Sequence, residues 1–148
     1  MVFKKLIFRL VTIAGLFSAS LFSQENKAVI DYVVIGNEID GSSITKKQLT
    51  SVFKSEKNYW KNGNKVIIVL PSTKNELINS VASQVYKMSV AGMQKFWVGL
   101  VFQGNATTPH SCETDEETIK FIEKNKGSIG FVSLKSIEKI KNLVIEVK

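Results

Sequence analysis

Asp115-Glu116-Glu117-Thr118-Ile119-Lys120-Phe121-Ile122-Glu123-Lys124-Asn125-Lys126-Gly127-Ser128-Ile129-Gly130-Phe131-Val132 runs from an acidic start through a helix and a stop into a strand. Ile119, Phe121 and Ile122 share a face at helical spacing, and Thr114 with Glu117 predicts a capping box. Asp115 and Glu116 reinforce it at the positive end of the helix. Gly127 stands where a left-handed stop belongs. A strand over Ser128 to Ser133 must start at once, and Gly130 in its middle leaves room for a close neighbour.

Outward from this stretch, short apolar strands alternate with helices. Val29 to Ile35 is β-branched and nearly continuous, as a strand covered on both faces requires. Thr45-Lys46-Lys47-Gln48 predicts a capping box, with Ile44 against Leu49 as a hydrophobic staple and Leu49, Val52 and Phe53 as the buried stripe. Tyr59 to Asn64 predicts a turn held by aromatics, and Val66 to Leu70 a second buried strand. Thr73-Lys74-Asn75-Glu76 predicts another capping box, opening a helix that buries Leu77, Ile78, Val81, Ala82, Val85, Tyr86 and Met88. Gln94 to Gly104 fits helix or strand, and a short helix ending near Leu100 is preferred. Thr107-Thr108-Pro109 and the residues to Glu113 read as loop, Ser136 to Lys141 as a short helix, and Leu143 to Val147 as a last strand. The alternation predicts a three-layer α/β domain with a mainly parallel sheet.

The first residues read as a secretory signal. Lys4, Lys5 and Arg9 precede an apolar run from Leu10 to Phe22, with small residues near its end. The expected cut follows Ser23, before Gln24, or else follows Ser20. No Cys lies there to carry a lipoprotein anchor, and an uncleaved membrane anchor is the competing reading. Residues 24–148 then make one domain, since their number suits one core and not two.

The leader holds three of the twenty Lys and Arg and none of the thirteen acids, leaving +4 of the formal +7 on the remainder. That balance helps an anion or an anionic surface find the protein. The lysines are scattered without an aromatic-interleaved patch, which argues against nucleic acid. The single Cys112 cannot form an internal disulfide. His110, Cys112 and Glu113 on one segment lack a fourth metal ligand, so an ordinary loop is preferred to a metal site.

With these elements in order, a resemblance extends over most of residues 24–148. Ile44-Thr45-x-x-Gln48-Leu49-x-x-Val52-Phe53 is similar to a helix of the phosphate-type periplasmic solute-binding proteins. Trp60-x-x-Gly63 is similar to their turn before a strand that here ends at Pro71. Phe96-Trp97 with Phe102-x-Gly104, the loop residue Pro109, and Gly127 to Val132 are similar to later motifs of that family. The resemblance implies one lobe of a type II periplasmic binding protein. It also implies a small oxyanion such as phosphate as ligand and a membrane transporter as partner, with an envelope protein as the partner of the competing reading.

Two departures bear on function. Family members close two lobes on the ligand, and this chain has length for one. The family's anion-binding segment carries an Arg and a Ser-Gly-Thr helix start, where this chain reads Leu70-Pro71-Ser72-Thr73-Lys74-Asn75. Ser72, Thr73, Lys74 and Asn75 still offer hydroxyls, first-turn amides and an ammonium to an anion, or they only cap a helix. Gly41-Ser42-Ser43, before the Thr45 cap, reads as a linker. Trp60 and Trp97 would stack on a sugar or partner, or fill the core. No nucleophile elbow, base partner or carboxylate pair supports catalysis, so the chain reads as a non-enzyme without cofactor. The two readings carried forward are an exported oxyanion-binding domain and an envelope module whose cleft face docks another protein.

Overall fold

The computed structural model describes residues 30–140 and 142–148; the expected leader lies outside the described residues. Strand β1 (Tyr32–Gly36) leads through a loop to β2 (Ser43–Ile44) and α1 (Lys46–Phe53). Strand β3 (Ile67–Pro71) precedes α2 (Ile78–Val81), which runs into a π-helical turn over Ala82–Tyr86, and then α3 (Val90–Phe102). The chain continues as β4 (His110–Cys112), α4 (Asp115–Lys124), β5 (Ser128–Ser133), a 3₁₀ turn (Leu134–Lys139) and β6 (Val144–Val147).

The sheet order is β2-β6-β1-β5-β3-β4. β3 is parallel to β4 and β5, β2 is parallel to β6, and β1 is antiparallel to both its neighbours. Five of the six strands therefore run one way, and the central β1 opposes them. Side chains alternate across this sheet. Val34, Ile68, Leu70, Ile129 and Phe131 face the core shared with α1, α2 and α3. Ile35, Val69 and Val132 face the other side, where Ile122 of α4 covers them. This is the expected three-layer α/β architecture.

The opening stretch folds as its residues dictate. Thr114 Oγ accepts from the Glu117 amide at 3.2 Å. The Glu117 carboxylate takes the Glu113 amide at 2.8 Å, one residue earlier than in a regular capping box. Gly127 has φ +82°. Its amide donates to the Asn37 carbonyl (2.7 Å) and its carbonyl accepts from the Ile67 amide (3.1 Å) and the Trp60 indole (2.7 Å). One glycine thus ties α4 to the ends of β1 and β3. Around Gly130, a Cβ would meet Val69 Cβ at 3.0 Å and Ile122 Cδ1 at 3.1 Å, which is the close neighbour its place in the strand predicts.

Four expectations need correction. The Thr73–Glu76 capping box does not form: Asn75 is buried and its Oδ1 accepts from the Leu77 amide at 2.9 Å, so the helix begins only at Ile78 without a side-chain cap. Helix α3 begins earlier than Gln94 and passes Leu100, because Ser89 Oγ caps the Gly92 amide at 3.1 Å. His110 to Cys112 is a strand where a loop was expected, held parallel to Val69–Pro71. The turn after β5 is 3₁₀ and starts at Leu134, before the expected Ser136.

The aromatic residues of α1, the π turn and α3 form one buried network. Tyr86 Oη donates to the Phe53 carbonyl at 2.7 Å and accepts from the Trp97 indole at 3.0 Å. Burial raises the Tyr86 phenol above its ordinary value of 10.0, against the lowering effect of the Trp97 donor. Below that ordinary value both folded and unfolded chains keep the proton, and the stabilisation is complete. As pH rises above it the unfolded chain releases its proton first, so stability falls. Tyr86→Phe should cost about 1–3 kcal/mol at neutral pH by stranding the two buried partners. It should also make the alkaline loss shallower. Urea titrations from pH 7 to pH 11 check both, and an unchanged alkaline slope would remove Tyr86 from the account.

Candidate functional site

Because β3, β4 and β5 run the same way, their carboxyl ends share one edge of the sheet. The turn Ser72–Asn75 leaves β3 there, Glu113 and the start of α4 leave β4, and Ser133 with the 3₁₀ turn leaves β5. Together they border an open cleft of about 530 Å³. In open α/β sheets such a crevice beyond the carboxyl ends of the strands is where ligands bind.

The structure brings Lys74 and Asn75 into the lining of this cleft, with Ser72 and Thr73 just before them in the same turn. Ser72 is bound on both sides of its backbone: its amide donates to the Cys112 carbonyl (2.8 Å) and its carbonyl accepts from the Asn75 amide (3.0 Å). Its Oγ accepts from the Lys74 amide at 3.2 Å, so its hydroxyl proton stays available. Thr73 is exposed. Asn75 is committed to the turn and the core. The first-turn amides of a long helix, expected from the sequence, are therefore replaced by a compact turn. Among the described residues only the Thr73 and Glu76 amides of that turn donate to no protein acceptor.

Lys74 Nζ pairs with Glu113 Oε1 at 2.8 Å. That hydrogen bond and charge hold the ammonium above its ordinary range, although both groups are exposed. Asp115 is the other organising acid. Its Oδ2 accepts from the Ser133 amide (3.0 Å), Ser133 Oγ (2.6 Å) and Ser136 Oγ (2.7 Å), which fastens the start of α4 to the end of β5. Glu76, Glu113, Asp115 and Glu116 face Lys74, Lys135 and Lys139 around the cleft. The carboxylates outnumber the ammonium groups by one, so an entering anion competes with Glu113 for Lys74.

Sequence reading singled out Ser72 to Asn75 as a helix start but missed Glu113 and Asp115 as cleft residues. Glu113 stands 39 positions from Lys74, and no local pattern connects them. The supposed metal trio is dispersed. His110 stacks on Phe121 with ring centroids 3.7 Å apart, Cys112 is buried, and Glu113 holds Lys74. Burial raises the Cys112 thiol above its ordinary range. Trp60 and Trp97 are both core.

The fold of the described residues is close to that of solved phosphate receptors. An ABC-type phosphate transport receptor from Vibrio cholerae superposes with a TM-score of 0.61 at 16% identity, over 82% of this chain and 47% of that one. The chain has the fold of phosphate-type periplasmic binding proteins. PstS from Borrelia burgdorferi matches with a TM-score of 0.52 at 16% identity, over 82% of this chain and 49% of that one. A phosphate ABC transporter substrate-binding protein with bound phosphate from Clostridium perfringens gives 0.51 and 15%, over 82% and 46%. The chain spans about half the length of these structures, in keeping with one lobe of the fold. No protein-family model and no curated protein matches the sequence. Among the described residues no helix is long and apolar enough to cross a membrane.

Proposed function

We propose that this chain is an exported, non-enzymatic binding domain that takes a small oxyanion of the phosphate class, weakly, at the Ser72–Asn75 turn. The observation that carries the reading is the position of that turn. It leaves β3 at the carboxyl edge of the parallel strands, in a fold shared with receptors that bind phosphate. Donors are the Ser72 and Thr73 hydroxyls, the Thr73 and Glu76 amides, and the Lys74 ammonium. Thr73 and Lys74 are exposed, and water competes for each donor. Affinity in the micromolar to millimolar range follows, on the order of −8 to −4 kcal/mol, and it weakens with salt. A role in ABC-type uptake would need a membrane transporter as partner.

Titration of the ¹⁵N-labelled protein with phosphate, sulfate and a chloride control tests this. Phosphate should shift the amides of Ser72 to Asn75 selectively, and a Thr73→Val, Lys74→Ala double variant should abolish the shifts. Glu113→Gln frees Lys74 and should tighten binding several-fold. Absence of shifts at tens of millimolar phosphate would rule the reading out. The same cleft face would then be read as a docking surface of an envelope protein.

Export rests on the basic start and the apolar run of residues 1–23. Mass spectrometry of the envelope fraction should find Gln24, or Leu21, as the first residue of the mature protein. An intact Met1 there would end the export reading.

A further inference from the structure

Helix α3 is more apolar than its place in the core requires. Of its 13 residues only Gln94 and Lys95 are polar. Met93 and Trp97 are buried and Phe96, Leu100 and Val101 partly so, yet Val98 is 68% and Phe102 93% exposed. Val98 and Phe102 stand four residues apart on one outward face, where i and i+4 side chains adjoin. Behind them lies a hollow of about 290 Å³ walled by Trp97, Val101, Thr108 and Pro109. A soluble helix that is apolar on both faces is covered on both.

The surroundings of the hollow specify what covers it. Thr108 and Pro109 also wall an adjoining groove of about 440 Å³ that contains Tyr59 and Lys65, and no carboxylate lines either space. Lys95 precedes Val98 by one helical turn. Neither Lys65 nor Lys95 has an ion pair among the described residues, whereas Lys57 in the same groove is held by Asp40. An apolar hollow with unpaired Lys65 in the adjoining groove and unpaired Lys95 one helical turn before Val98 matches an apolar side chain accompanied by carboxylates. A second copy would bring lysines against lysines across a two-fold axis. A flat bilayer would leave the hollow unfilled.

We propose that Val98, Phe102 and the hollow behind them dock an acidic, amphipathic segment of a partner protein, with one aromatic or aliphatic side chain inserted against Val101 and Pro109. The surface is separate from the carboxyl-edge cleft, so its test is independent of anion binding. The probe is a synthetic 12-residue helical peptide with Phe and Leu on one face and Glu on the other. Two controls replace Glu by Lys, or Phe and Leu by Ser. The Glu peptide should shift the amides of Val98 to Gln103 and Thr108 with a Kd on the order of 100 µM, and neither control should bind. Phe102→Asp should weaken binding about ten-fold or more at an unchanged Tm, since the side chain is exposed. Lys65→Glu with Lys95→Glu should transfer the preference to the Lys peptide. Shifts that survive Phe102→Asp, or no shifts with any peptide, overturn the proposal. So does a self-association in sedimentation, or adsorption to phosphatidylglycerol vesicles, that Phe102→Asp removes while the Glu peptide fails to bind.

Discussion

Gly127→Ala should lower the unfolding free energy by about 3 kcal/mol or more, and Tm by on the order of 10 °C or more. Two effects combine. At φ +82° any Cβ brings left-handed strain of about 1–2 kcal/mol. The added atom would also sit 2.2 Å from the Lys65 carbonyl oxygen, which is backbone and cannot rotate aside. Relief requires Lys65 to move, and β3 begins two residues later. That movement would pull on the bonds Gly127 makes with Asn37, Ile67 and Trp60. Gly63→Ala is the control. Its φ is +87°, but nothing lies within 4 Å of the new Cβ, so it should show the strain alone. Thermal melts of the two variants separate strain from clash. Equal losses would mean that the Gly127–Lys65 approach is looser than it stands here.

The same glycine shows why this part of the fold could be read from sequence. Thr114, the 119–121–122 stripe and the left-handed stop at Gly127 each show a pattern within a few residues, and each has one natural solution. Where geometry depends on distant partners, local pattern misleads. Thr73 and Glu76 have the spacing of a capping box, yet Asn75 can reach the core and claims the turn first. His110-Ser111-Cys112 has too little apolar length to announce a strand. It becomes one because the edge of β3 offers unpaired backbone groups and Cys112 buries its side chain. The opposed direction of β1 is set by its pairing with β5 and β6, about a hundred residues further along. The cleft divides in the same way. Ser72 to Asn75 could be picked out by residue type, but the acids that hold Lys74 and fasten Ser133 belong to the other side of the cleft.

Phe53→Ala should cost about 3–5 kcal/mol, the range for emptying a fully buried aromatic site. Phe53 is fully buried, and its ring lies 4.4 Å from that of Phe131 on β5. Tyr32 meets Phe131 edge-on at 5.0 Å, so the cavity would open between α1 and two central strands. The backbone carbonyl of residue 53 also receives the Tyr86 hydroxyl, so any shift of the α1 end is felt by the π turn and Trp97. Thr45→Ala at the other end of α1 should cost only about 1 kcal/mol. It removes the Oγ1 that accepts from the Gln48 amide at 3.2 Å and leaves the core intact. The contrast matters more than either value, because α1 adjoins the central strands through Phe53 and meets solvent through Thr45. If α1 were instead held mainly by its cap, the order of the two losses in urea titrations would be reversed, and the aromatic cluster would no longer explain how the helix is fixed to the sheet.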